Sequence, residues 1–553
     1  MFAIPWHSME LWGVNPQRFL AAPLGGLTCL LMAVVFLPPF GPRLAAACEA
    51  AGDRLAESQR NRWIAAALFA IAVFLLSDRT LYTGDALIRN AAADTPGFLE
   101  RFRQALPLEL VLFERLPLAL ERYGIPPMLP ARLLGAAAAF ALGLAALQLG
   151  RQLAGRGAML VAVACMVACG GWLVVFTGLG KPAALLCALT AIAAVCAIRT
   201  VRVGTGLAAL GVSVALAISL HRAGVFLLPC WMVALALAQH PRTGARPRRS
   251  ALDWTLACLP FAALALHGGR ILKIGASIDA PLHLLGAASP PITHRGLDLA
   301  NLSLLMCPVA IPILAGCLRP SATWARTREF AVTFSLLAPW LLLAALAHPA
   351  QGIFRDTDFF AAGGVALGVC LAWLLCGPRE AFMITPQTST AIASVCAISA
   401  LQLVLCWHDP HAGLSRVRAY LCEAPRRGVA DHEQGWDFLA LRAFAIGDWS
   451  EAVIACDEAA TLAPNPRLLI MLGIARTYSR DYPGAKQAYS RAIERSPYEL
   501  AAWAGLAGIA TRLGDQALAD SAMAMVRMYP ETHIKARELK RLIERYPEFR
   551  PAR

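Results

Sequence analysis

Apolar residues in this chain gather in blocks of roughly 15 to 22, about the length that crosses a hydrocarbon core. The blocks run near 19–40, 63–77, 132–149, 158–177, 183–198, 207–220, 225–238, 252–267, 302–317, 330–347, 360–376 and 391–406. They predict an all-α polytopic bundle of about twelve spans. Pro38, Pro39, Pro229, Pro260, Pro308 and Pro312 are expected to kink or end helices, which puts a margin of about two on that count. After residue 410 the pattern changes. A linker rich in charge and Pro (411–430) is followed by amphipathic, Ala-rich segments from 431 to 553.

Loop charge orients the spans. Arg43, Arg54, Arg60 and Arg62 share one set of connections with Arg151, Arg156, Arg199, Arg202, Arg242, Arg246, Arg248, Arg249, Arg319, Arg326, Arg328 and Arg379. The positive-inside rule assigns this set to the cytoplasm. The other set then faces outward: the long loop 78–131, 178–182 with Lys181, His221-Arg222, 268–301, 349–358 and everything after Cys406. The alternation closes everywhere except at the extreme N-terminus, which it places outside, so the first block is an extra or re-entrant element. The expected location is a bacterial inner membrane, with the C-terminal domain periplasmic.

Composition agrees with the pattern. The chain is 58% hydrophobic and 16% charged, with a mean hydropathy of +0.55, too apolar for a soluble domain. The formal charge of +14 is dispersed as loop arginine and forms no basic module, so no nucleic-acid partner is expected. Most of the 16 cysteines fall within spans, where a thiol packs as a small apolar group. Cys165 and Cys169 lie one turn apart without a carboxylate or histidine nearby, which favours helix packing over metal binding. The N-terminus lacks the basic start of a secretory signal, so its first apolar run is expected to be retained.

From about Asp431 the sequence repeats every 33 or 34 residues. The first unit has Trp436, Leu439, Ala440, Ala443, Gly447, Ala452, Ala459 and Pro464. Leu469, Leu472, Gly473, Ala485, Tyr489, Ala492 and Pro497 match in the second, and Trp503, Leu506, Ala507, Ala510, Gly514 and Ala519 in the third. This resembles the tetratricopeptide repeat, an α-solenoid of helix pairs. The resemblance implies a surface for a protein or peptide partner. The charged stretch 531–546 fits the solubilising cap that such arrays require.

Three polar clusters interrupt the apolar part: Arg79 to Arg89 (RTLYTGDALIR), His221-Arg222, and Phe354 to Phe359 (FRDTDF). All fall on the predicted outward face. Ionisable groups at the mouth of a helical bundle are costly unless they bind something charged. The rest of the first outward loop mixes Phe and Leu with Glu and Arg, a pattern for helices lying along the bilayer surface. Plainer roles stay open for each residue. Asp356 and Asp358 can cap a helix and pair with Arg355, Asp85 can serve the turn after Gly84, and His221-Arg222 can end a span by snorkelling. His267, His283 and His294 lack ligand spacing, and Trp436, Trp449 and Trp503 read as repeat core.

A polytopic core with an Asp in its first long outward loop and charges on the same face resembles the GT-C glycosyltransferases. With the repeats appended, the chain resembles the transmembrane-and-tetratricopeptide O-mannosyltransferases. It also resembles bacterial membrane proteins carrying GDG and RDWD signatures, which stand here as GDA (84–86) and RDTD (355–358). The resemblance implies transfer of a sugar from a polyprenyl-phosphate donor to an extracytoplasmic acceptor, with inversion. Asp85 would be the general base. Arg355, with Arg222, His221 or Lys181 and flanked by Arg79 and Arg89, would hold the phosphate. Asp356 or Asp358 would orient the sugar or a divalent cation. Two rivals are a membrane-anchored scaffold recruiting a partner through the repeats, for which one or two spans suffice, and a transporter, which needs ionisable groups near mid-membrane.

Overall fold

The computed structural model describes residues 8–91, 95–98, 105–176, 181–238, 250–275, 282–284, 294–317, 327–349, 351–377, 384–530 and 533–547. The connection arginines 242, 246, 248, 249, 319, 326 and 379 lie outside these residues, as do 99–104 of the long loop and 531–532 of the final charged stretch. The described chain is helical apart from one antiparallel pairing of Leu282–Leu284 with Ala347–Pro349. Contacts divide it into two compact units, Met1–Gly413 and Leu414–Arg553.

Among the described residues of the first unit six helices are long and apolar enough to cross a membrane: Met128–Leu153, Ala183–Val203, Ala251–Lys273, Arg328–Leu346, Thr357–Cys376 and Pro386–His408. A seventh span results if Arg295–Met306 and Ala310–Gly316, bent by 97°, count as one. Other apolar blocks form shorter helices, among them Ala22–Val34, Gly157–Ala168 and Leu207–Leu220. The first block is thus one short helix, followed by Gly41–Glu57, a helix that lies in an expected connection. Met128–Leu153 packs on Gln59–Leu75, Gly157–Ala168 and Ala183–Val203. Its buried face is mostly Ala, Gly and Leu. Small residues let helix backbones approach closely where apolar surroundings provide little hydrophobic drive.

Within the first long loop the chain is helical from Pro107 to Glu121. Glu109 and Glu114 are buried there, whereas Val111 and Leu116 are exposed. The two buried glutamates need cationic or hydrogen-bonding partners.

The second unit begins within the helix Pro410–Cys422, so the stretch read as a linker carries structure of its own. Leu414, Val417 and Tyr420 in it are buried. Among the described residues seven helices follow: Val429–Ile446, Trp449–Leu462, Pro466–Tyr478, Tyr482–Arg495, Leu500–Arg512, Gln516–Arg527 and Ile534–Arg545. Asp448, Asp481 and Asp515 recur at intervals of 33 and 34 residues. Each caps the helix after it, accepting from Glu451 N (3.1 Å), Gly484 N (3.0 Å) and Leu518 N (3.2 Å). Of the repeat positions, Trp436, Ala452, Ala485 and Ala519 are buried. Gly447 and Gly514 take the left-handed backbone after a helix end, while Pro464 and Pro497 are exposed between helices. The tryptophans depart from the expectation of a common core. Trp449 and Trp503 are half-buried, the first stacked on Tyr478 and the second donating to Pro497 O (2.7 Å).

Candidate functional site

Four segments distant in sequence meet in the first unit. The loop after Gln59–Leu75 supplies Asp85 and Arg89, the start of Ala183–Val203 supplies Lys181, the end of Leu207–Leu220 supplies His221 and Arg222, and the start of Thr357–Cys376 supplies Asp356 and Asp358. These seven side chains line one cavity of about 110 Å³, walled also by Leu186, Phe359 and Ala362. At about 30 Å³ per water, that holds a few waters or one phosphate group. The cavity opens to solvent.

Local chemistry explains why the segments arrive together. Asp78 closes a turn by accepting from Thr80 N (2.8 Å) and Leu81 N (3.0 Å). Arg79 N and Thr80 N both donate to Trp407 O at 3.1 Å, which ties the loop to the end of Pro386–His408. Gly84 N then donates to Arg355 O at 3.0 Å, so the GDA and RDTD motifs are joined backbone to backbone. Gly84 has φ of +55°, and a Cβ there would meet Asp358 at 2.9 Å and collide with Lys181. The left-handed backbone favours glycine at 84, and the atoms a Cβ would meet are side-chain ends of the same charge cluster.

The charges form a chain. Lys181 lies between two carboxylates, in contact with Asp85 and 2.7 Å from Asp358. Asp85 also pairs with Arg89 (3.1 Å), and Arg89 reaches on to Glu109 (2.9 Å). Burial alone would raise the Asp85 carboxyl, but Lys181 and Arg89 outweigh it and hold it below the ordinary carboxylate range. Asp356 goes the other way. Burial, reinforced by neighbouring Asp358, pushes it up to about 7, against Lys181 and Arg355. Burial, helped by Arg222, lowers His221 to about 3, so it is neutral at physiological pH. Three cations (Arg89, Lys181, Arg222) and three carboxyls (Asp85, Asp356, Asp358) line the cavity, with Glu109 paired to Arg89.

Several expected roles are altered. Asp356 does not cap the short 3₁₀ turn Thr357–Phe360; its carboxylate accepts from Gln351 N (3.1 Å). The carboxylate of Asp358 pairs with Lys181, where the capping alternative expected Arg355. Arg355 is absent from the cavity wall, and its guanidinium lies 5.4 Å over the Tyr82 ring. Tyr82, Phe354, Trp407 and Trp12 form an aromatic cluster there, with Trp12 edge-on to Phe354 at 5.2 Å. Arg79 also lies outside the wall, held at its backbone by Trp407. Glu109, read only as part of a surface helix, is the residue the sequence reading missed. Its signal is a lone carboxylate within PLELVLF, which must find a cation when buried.

Among the described residues no three His, Cys, Asp or Glu side chains are grouped to hold a metal ion. The Lys181 ammonium occupies the point between Asp85 and Asp358 where a cation would sit, so this arrangement does not fit a divalent ion. In comparisons with known proteins, no family model matches this chain and no curated protein matches it.

Proposed function

We propose that this chain is a multi-pass membrane glycosyltransferase of the GT-C kind. It would transfer a sugar, with inversion, from a polyprenyl-phosphate carrier to an extracytoplasmic acceptor. The reading includes about twelve bilayer crossings, the cavity and the C-terminal unit on the periplasmic side of a bacterial inner membrane, and a tetratricopeptide solenoid engaging a protein partner. One observation carries it: carboxylates and cations from four separate segments converge on a single cavity at helix ends. A cavity of about 110 Å³ suits the phosphate, and its opening to solvent leaves the sugar and acceptor outside it.

The roles follow from electrostatics. The acceptor hydroxyl attacks the anomeric carbon, its proton passes to a carboxylate, and the bond from that carbon to the phosphate oxygen breaks. Asp356, raised to about 7, suits the base better than Asp85, because a base works best with its pKa near the working pH. Asp85, held anionic, keeps Lys181 and Arg89 in place. Lys181, Arg89 and Arg222 would stabilise the charge growing on the departing phosphate.

The test is transfer from polyprenyl-phosphate sugars by purified protein, together with identification of lipid-linked sugars that co-purify. Asp356→Asn should lower turnover at least a hundredfold while the protein remains folded. Full activity in Asp356→Asn and Asp85→Asn, with function lost only on deleting 431–553, would leave the scaffold reading in its place.

A further inference from the structure

One carboxylate serves the cavity without lining it. Glu109 stands in Pro107–Leu110, which packs on Leu207–Leu220, the helix whose end supplies His221 and Arg222. Its side chain is 3% exposed, and Oε1 lies 2.9 Å from Nη2 of Arg89. The same guanidinium holds Asp85 through Nε at 3.1 Å. Arg89 therefore joins one carboxylate of the wall to one outside it.

The three wall cations differ in what already holds them. Lys181 has Asp85 and Asp358, and Arg89 has Asp85 and Glu109. The Arg222 guanidinium makes no hydrogen bond or ion pair among the described residues. The attraction acting on it comes from Glu109 first and Asp85 second. Glu109 thus acts on both arginines, and an anion entering the cavity would draw on the same two groups. Like charges so placed in a site of low dielectric repel strongly.

We propose that Glu109 is a built-in counter-anion that competes with the substrate's phosphate for Arg89 and Arg222. It sets the two guanidiniums before the phosphate arrives and weakens the hold on the phosphate left after transfer. The inference rests on the reading of this cavity as a phosphate site and adds to it a positioning residue that touches neither sugar nor phosphate. Grip on the product matters, because binding energy shared by substrate and product does not speed the chemistry and slow release limits turnover.

The probe is farnesyl monophosphate, a short polyprenyl phosphate, titrated calorimetrically into full-length detergent-solubilised protein, with farnesol as the uncharged control. Glu109→Gln should bind the phosphate about tenfold more tightly than the unaltered chain, a gain that loss of a purely structural contact would not produce. Glu109→Asp, which keeps the charge, should bind as the unaltered chain does, and adding Arg222→Gln to Glu109→Gln should remove the gain. Equal or weaker binding by Glu109→Gln, with the unaltered chain still preferring farnesyl monophosphate to farnesol, overturns this inference and leaves the phosphate reading of the cavity standing. No such preference in the unaltered chain overturns both. Hydrogen exchange on the unaltered chain answers the question should Glu109→Gln misfold. Saturating farnesyl monophosphate should speed exchange of amides 108–121 about threefold, because a displaced carboxylate loosens its helix, and unchanged or slower exchange overturns the inference.

Discussion

Lys181→Met tests the charge arrangement of the cavity directly. The substitution keeps the length of the side chain and removes the ammonium from between Asp85 and Asp358, whose side chains are 25% and 10% exposed. At 2.7 Å and an effective dielectric of about 20, the Lys181–Asp358 attraction is about 6 kcal/mol before desolvation is subtracted. Removing one partner of a buried pair costs about 3–5 kcal/mol, because the other charge is left without compensation. Asp85 retains Arg89, so the deficit falls mainly on Asp358. Lys181→Met should therefore destabilise the protein by about 3–5 kcal/mol at pH 8 in equilibrium unfolding from mixed micelles. Adding Asp358→Asn should recover more than half. The deficit should shrink as pH falls, since a carboxyl without its cation takes up a proton more readily in the folded state. A loss below about 1 kcal/mol, the worth of a solvent-exposed pair, with no rescue by Asp358→Asn, would refute the reasoning.

The pH dependence of the unaltered chain should carry a contribution from Asp356. Its folded value is raised to about 7 against about 3.9 unfolded, so the folded state binds the extra proton and this contribution to stability is lost as pH rises from about 4 to about 7. Asp356→Asn should remove that component from unfolding curves recorded between pH 5 and 8, and an unchanged pH profile would contradict the assignment. Elsewhere in the first unit, Arg202 forks onto Glu329 at 2.9 and 2.8 Å while the Trp373 indole donates to the same carboxylate at 3.0 Å. Glu329→Gln should cost about 2 kcal/mol in unfolding measurements, and the paired change Arg202→Met, Glu329→Met should recover most of it. In the second unit, Arg480 has φ of +60° at the turn where the other two repeats place Gly447 and Gly514. Arg480→Gly should raise stability by about 1 kcal/mol through relief of left-handed strain; a lower melting temperature would show that the Arg480 side chain makes a compensating contact.

Much of the helical architecture was legible because its signals are local. Apolar block length announced the long helices, and the 33- or 34-residue recurrence of small residues announced the regular helix pairs beyond 431. The site was legible as a set of residue types, since ionisable groups in an apolar chain are few enough to single out. Its pairings were not. Asp358 turned to Lys181 and not to its sequence neighbour Arg355, which lies over Tyr82. Glu109 became a site residue only because burial forced it onto Arg89.

The sequence by itself determined that the chain is helical and apolar, that its second part is periodic, and that three polar clusters stand apart. Those properties depend on hydrogen bonds and side-chain periodicities spanning a few residues. Only the tertiary structure decided which charges neutralise one another, which carboxyl is held anionic and which is left able to carry a proton. Those outcomes depend on distances of a few ångströms between segments up to 273 residues apart, Asp85 to Asp358, and burial sets the strength of every one of them.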